Sequence, residues 1–476
     1  MLALDISSSG VRARAHGRDM CVHAERATDL DTRTGADGTS SHELGAILEA
    51  VRKVVRPIAG GSELRIVALG PSGTASSLAV AKLKNGIPKE STEVLLWSDA
   101  RAAGAYPPIA AQLAEAYERT LCPPDVTYWP AKLKYLAEQE ALDGNSFIAG
   151  GKDLVFFWLT GLLWTDPMTA GSTGVFDSIK WRWDENLLRS TGASPDCLPK
   201  VRGAAEWAPL AAAPANELGL PQGLPIAVGG MDGVLTQLGS SGECEGVASC
   251  TIGTSIAFRI GSVRRIADPQ SRTWCYPVSR DFWVVGGAGS NGGNLLTWLR
   301  DQLRLAESVP DLVNLAFSVS ADPSLTFVPY LHGERAPFWR SDLRAAFIGL
   351  SSYHGAADLV RAVLEGIAGS LLDLAKTVES VAGIARHVVF SGGFLHERRW
   401  VQLMTDALGV ATSAPIPDVA TSTGAAMVAW AAVEGIRIGD VFEPAREALA
   451  EPDNQVHERV RETAARISRY RKMVWP

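Results

Sequence analysis

Three short stretches of this chain have residue types and spacing suited to holding phosphate and moving a proton. The opening MLALDISSSG ends an apolar run on Asp5, turns through Ser7, Ser8 and Ser9 to Gly10, and places Arg12 two positions later. A strand that ends in aspartate before a tight turn of small residues sets a carboxylate beside exposed backbone N–H groups, which suits a phosphate and its Mg2+. On that reading Asp5 holds the metal ion through water and the serine amides or hydroxyls face the phosphates. An ordinary turn capped by an aspartate accounts for the same residues without chemistry.

A counterpart, TIGTSI at 251–256, offers Gly253 for close approach of a phosphate to the backbone and Thr254 and Ser255 as hydroxyls, so two such turns can face each other across a cleft. In IAVGGMDGVLTQLGS (226–240), Asp232 follows two glycines at the start of a helical stretch. It reads either as a helix N-cap or as a base that removes a proton from a substrate hydroxyl. In VVFSGGFLHERRWVQLMTDALG (388–409), Gly392 and Gly393 allow a flat ring to lie against the backbone, or serve packing alone, while Trp400, Leu403 and Leu408 give the following helix a buried face.

The elements around these residues must form large cores. At 476 residues, 46% hydrophobic and 20% charged, the chain is long enough for two or three domains. A net charge of −7 and the absence of any Lys/Arg-rich run argue against a nucleic-acid surface. Cys21, Cys122, Cys197, Cys244, Cys250 and Cys275 lack metal-binding spacing and read as reduced packing thiols. No apolar stretch approaches the roughly 20 residues of a membrane span, so a cytoplasmic protein with a small-molecule partner is expected.

Residues 1–6, 11–17 and 20–26 read as a strand with antiparallel neighbours, 64–70 and 93–99 as further strands, and 42–55 as a helix. The second half repeats the theme: 247–260 is strand, small-residue turn, strand; 274–278 and 282–287 continue the meander; 387–393 is a buried strand; and 292–305, 359–381 and 424–435 carry helical periodicity. Two such units imply a duplicated α/β fold with a boundary near residue 240, giving parts 1–240 and 241–476.

Taken as an ordered set, the motifs resemble those of the FGGY family of carbohydrate kinases, over nearly the whole chain. The resemblance implies a duplicated ribonuclease H-like two-domain fold with a central cleft, shared with actin, and ATP with Mg2+ as cofactors. It implies Asp5 and Asp232 at the metal ion, Asp232 as the base, and a nucleotide site formed by Ser7, Ser8, Ser9, Arg12, Gly253, Thr254, Ser255, Asn291, Gly292, Gly392, Gly393 and Phe394. Family members are often dimers, so a homodimer is expected. Ser7 occupies the position of the family's glycine, where it either adds a hydroxyl donor, with Gly10 restoring flexibility, or crowds the γ-phosphate.

Within the family, 95–102, 129–136, 286–303 and 328–339 resemble gluconokinase segments, with xylulokinases sharing weaker forms, so a small open-chain sugar or sugar acid is the expected acceptor. Trp97 and Asp99 read as an aromatic wall and a hydroxyl acceptor at a strand end, or as core and solvated charge. Arg101 or Lys132 reads as the partner of a carboxylate. Glu334 and Arg335 read as a salt bridge ordering the 327–339 loop. In GPSGTASSL (70–78), Ala75 and Ser76 stand where gluconokinases carry an aromatic residue and a histidine, which implies an altered acceptor pocket. A nucleotide- or sugar-binding homologue that no longer transfers phosphate is the competing reading, and an actin-like ATPase a more distant one.

Overall fold

The computed structural model describes residues 1–61, 64–84, 87–143 and 146–475. Its frame is one strand pattern used twice. In the first sheet Leu2–Ile6 pairs antiparallel with Gly10–His16, which pairs antiparallel with Val22–Asp29. On its other side Leu2–Ile6 runs parallel to Leu69–Gly73, then comes Pro225–Ala227, also parallel, and Trp207–Pro209 closes the edge antiparallel. The second sheet repeats the order. Val247–Ile252 lies antiparallel to Ile256–Ser262 and that strand to Trp283–Ala288; His387–Ser391 and Thr412–Ile416 follow in parallel, and Ala445–Ala450 closes the edge antiparallel, with Trp274–Pro277 as an extra outer strand.

The expected strand, turn, strand units are thus the central hairpins of two equivalent sheets. Register makes Thr251 the counterpart of Asp5: across the parallel neighbour Asp5 pairs with Ser72 and Thr251 with Ser391.

The central strand is buried on both faces, and its residues alternate by size. Leu2, Leu4 and Ile6 pack with the helix Leu44–Ala59, whose Leu44, Ile47, Val51, Val54 and Val55 recur at helical spacing. Met1 and Ala3 face the helix Ala420–Glu434, with its Ala425, Val428 and Ala429. Small residues there admit the helix so closely that a Cβ on Gly70 would lie 2.3 Å from the Ala425 carbonyl oxygen.

Helix Ala420–Glu434 comes from the second half of the sequence yet packs on the first sheet and on the helix Asp232–Ser241. A cut near residue 240 therefore separates the strands of the two sheets but not their packing.

Two expected strands are shorter or displaced. The strand at 64–70 is Leu69–Gly73, because pairing with the opening strand begins at Leu69 opposite Leu2. The strand at 93–99 is only Val94–Leu95; Leu96 still donates to the Ser40 carbonyl, but the chain then turns, with the Asp99 N–H returning to the Leu96 carbonyl at 3.1 Å. Trp97 and Asp99 lie in that turn. Among the described residues no helix is long and apolar enough to cross a membrane.

The two helices cross at glycines: a Cβ on Gly239 would lie 1.9 Å from the Ala420 carbonyl oxygen, and one on Gly424 2.1 Å from that of Leu235. Gly239→Ala or Gly424→Ala is expected to cost about 1–3 kcal/mol. The measure is a lower denaturation midpoint at unchanged slope; full stability in either variant would mean that the helices do not meet so closely.

Candidate functional site

Asp232 owes its position to the strand Gly230–Met231, which runs beside Leu69–Gly73 and leads directly into the helix Asp232–Ser241. The turn before it requires glycine: Gly229 has φ +84°, and a Cβ there would lie 2.0 Å from the Pro71 carbonyl oxygen. Beneath the turn, buried Lys152 sits between Asp153 and Asp166, each at 2.9 Å, and donates to the Val228 carbonyl at 3.0 Å. One cation thus fixes the strand from which Asp232 projects.

Asp232 is the first residue of its helix, and its carboxylate accepts the Gly233 N–H at 2.6 Å. Burial, and then repulsion from Asp5, push its carboxyl up to about 6, against the pull of the Gly233 N–H, Arg259 and the Ala75 N–H. Burial also raises the Asp5 carboxyl, against Ser72, Arg12 and Arg14. Oδ1 of Asp5 is buried and has no hydrogen-bond partner.

Each of the two carboxylates lines a cavity. One, of about 470 Å³, is lined by Asp5, Arg12, Arg14, Thr236, Thr251, Ser391, Gly392, Gly393, His396 and the start of the helix at 420. The other, of about 190 Å³, is lined by Ala75, Ser76, Trp97, Tyr128, Asp232, Ser255, Arg259, Trp274, Tyr276, Arg335 and Trp339, among others. Arg259 links them, because it lines the smaller cavity and donates to the Thr251 hydroxyl of the larger at 3.0 Å. The larger space, with backbone turns and arginines, suits a nucleotide; the smaller, with aromatic walls and a buried carboxylate, suits a small polyol.

The residues expected from sequence divide between these cavities and their supports. Asp5, Arg12, Gly392 and Gly393 line the larger space, while Asp232, Trp97 and Ser255 line the smaller. Gly392 has φ +112°, and Gly253 and Gly393 each present a face with nothing within 4 Å of a Cβ. The turn of Ser7, Ser8 and Ser9 lies beyond the cavity wall, as does exposed Thr254.

Ser7 donates its hydroxyl to the Gly10 carbonyl at 2.9 Å, closing the turn on itself. Gly10 is needed for close approach of the third strand, since a Cβ there would lie 2.5 Å from the Thr28 carbonyl oxygen; flexibility is not its role.

Other expected contacts are supports instead. Asn291 donates to the Gly333 carbonyl at 2.8 Å and to Glu334 at 3.2 Å, and Gly292 donates to Asn294, so both hold loops and neither lines the larger cavity. Phe394 is core, edge-on to Phe390 and Trp400. Asp99 is engaged on both oxygens by Arg101, and neither residue lines the smaller cavity. Lys132 is fully buried, donates to the Ser76 and Leu96 carbonyls at 3.1 and 2.6 Å, and is pushed by burial down to about 7. It braces two cavity walls from behind.

Glu334 does not pair with Arg335. Its carboxylate accepts from Ser290, Asn291 and the Arg335 N–H, and burial raises it to about 7, while the Arg335 guanidinium lies over Trp97 at 4.2 Å and donates to the Gly289 carbonyl at 2.6 Å. Ala75 and Ser76 do line the smaller cavity, where their small side chains leave room.

Sequence reasoning missed Tyr128, Arg259, Trp274, Tyr276, Arg335 and Trp339 as cavity residues. For Arg259 a signal was present: Ala257 and Arg259 alternate along one strand and therefore share a face, just after Ser255 of the turn. The aromatic residues come from distant segments that only the fold brings together.

Comparison with known proteins gives this arrangement a family. Residues 1–239 match the N-terminal domain, and residues 248–433 the C-terminal domain, of the FGGY family of carbohydrate kinases. Gluconokinase of Bacillus subtilis (strain 168) is 28% identical over 430 residues, covering 85% of this chain and 82% of that protein. Among solved structures, gluconate kinase from Lactobacillus acidophilus superposes with a TM-score of 0.92 at 23% identity, over 100% of this chain and 98% of that one. Ligand-bound xylulose kinase from the same organism also reaches 0.92 at 23% identity, over 99% and 98%. With both halves matched, the chain belongs to the FGGY family of carbohydrate kinases, as an ATP-dependent sugar kinase.

Proposed function

We propose that this kinase phosphorylates a hydroxyl of a small open-chain sugar acid, with a gluconate-like acceptor favoured, and that Asp232 receives the hydroxyl proton. The observation that carries the reading is the position of Asp232. It opens on the smaller cavity while it feels the charge of Asp5 in the larger one, so a donor in one space and an acceptor in the other can meet at a single carboxylate. The acceptor oxygen bonds to the γ-phosphorus as the bond to the ADP oxygen breaks, and its proton passes to Asp232.

Asp5 and Asp232 are the residues that would hold Mg2+. The fit is supported by the partnerless Asp5 oxygen and by the mutual repulsion of the pair, and among the described residues no third carboxylate, histidine or cysteine joins them. Mg2+ is commonly held by one or two carboxylates together with the substrate's phosphates, whose charge it neutralises.

An acidic acceptor is favoured by two guanidinium groups, Arg259 and Arg335, in the smaller cavity, and by similarity to a gluconokinase. The inward hydrogen bond of Ser7 supports transfer over a binding-only role, because the hydroxyl is held by its own turn.

A coupled ADP-release assay with Mg·ATP against gluconate, other aldonates, xylulose, ribulose, erythritol and glycerol tests the reading. The expected strong responder is an aldonate; turnover on a ketose or polyol alone would transfer the assignment to that acceptor, and silence across the panel would favour the binding-only homologue.

The charge relations give a second expectation, read by carbon NMR of labelled aspartate in metal-free protein. The Asp232 carboxyl titrates near 6. Asp5→Asn removes a like charge and moves it down, whereas Arg259→Gln removes an opposite charge and moves it up. A titration unmoved by either change would contradict the arrangement.

A further inference from the structure

The smaller cavity holds two guanidinium groups in different electrical surroundings. Arg259 interacts with Asp232, and its Nη1 is tied to Thr251 on the nucleotide side. Arg335 interacts with Glu334 and Asp125 instead.

Position along the cavity floor separates them as well. Arg259 reaches Thr251 on one neighbour of its strand, and Arg335 reaches Gly289, just past the end of the neighbour on the other side, so their anchors stand two strand spacings apart, or roughly 10 Å at about 4.8 Å each. One cation lies beside the proton acceptor, the other at a distance suited to the far end of an extended substrate.

Arg335 is also incompletely satisfied. Its guanidinium lies over the Trp97 ring at 4.2 Å and one Nη donates to the Gly289 carbonyl, but Nε is buried without a hydrogen-bond partner. Its sequence neighbour Glu334 faces Ser290 and Asn291 and does not complete it.

We propose that Arg335, seated on Trp97, receives the carboxylate of the acceptor and thereby selects polyhydroxy acids over neutral sugars. This assignment rests on the gluconate-type reading above and replaces Arg101 and Lys132, which are engaged elsewhere. A planar guanidinium offers a carboxylate charge-assisted hydrogen bonds, whereas a neutral acceptor offers the buried Nε–H only a hydroxyl or amide oxygen and no opposite charge.

The test compares D-gluconate with D-gluconamide, which has the same chain and no charge. In the unmodified enzyme kcat/KM for gluconate is expected to exceed that for the amide roughly 10- to 150-fold, the range of a charge-assisted hydrogen bond. In Arg335→Met this ratio is expected to fall to within about threefold of unity, with the loss in KM rather than kcat, because the contact is made equally in ground and transition states.

If the unmodified enzyme uses gluconate and its preference over the amide survives in Arg335→Met, the Arg335 assignment alone falls. If the unmodified enzyme uses only neutral sugars, the gluconate reading falls with it. Should Arg335→Met not fold, Arg335→Lys decides: a loss of about tenfold on gluconate against less than about threefold on the amide supports the assignment, since Lys keeps the charge but not the planar fork. Equal losses on both overturn it.

Discussion

The repulsion between two buried carboxylates, Asp5 and Asp232, is the constraint on which the rest of the structure depends. They arrive on different elements, one on the central strand and one at a helix start, and burial raises both. A carboxyl whose native pKa lies above its unfolded value holds its proton longer in the folded state. The contribution of such a pair to stability is therefore favourable when both are protonated and is lost as pH rises through about 6. At neutral pH the native state carries an electrostatic penalty that a bound cation would relieve. A site that costs stability in this way points to function rather than scaffolding.

The surrounding fold holds the two groups in place despite that cost. Register aligns Asp5 with Thr251 as equivalent positions of the two sheets, and both line the larger cavity. The helix Ala420–Glu434 ties the halves together at glycine contacts, and Lys152, between two aspartates, braces the strand that leads to Asp232.

Much of this was legible in the sequence because it is local. Asp5, Asp232, the TIGTSI hairpin and the SGG turn combine a strand end with small residues, and such short patterns fix their own geometry. Other expected site residues turn to neighbours that the sequence did not show. Asp99 and Arg101 are two apart and satisfy each other, Asn291 has loop carbonyls within reach, and Phe394 finds an aromatic core; sequence shows a polar or aromatic side chain but not which neighbour takes it. The acceptor cavity was the least legible part. Tyr128, Trp274, Tyr276 and Trp339 come from separate segments, and Arg335 was read with its chain neighbour Glu334 when its partners are Trp97 and Gly289. The alternation that puts Ala257 and Arg259 on one face was present but gains meaning only once the fold brings that face to the smaller cavity.

The central claim is that donor and acceptor spaces meet at Asp232. A single-turnover measurement of phosphoryl transfer from labelled ATP to the acceptor, in Asp232→Asn beside the unmodified enzyme, tests it most directly. The account predicts a transfer rate lower by about 10² or more, since a positioned base contributes about 10² to 10⁴. Transfer at close to the normal rate would contradict it.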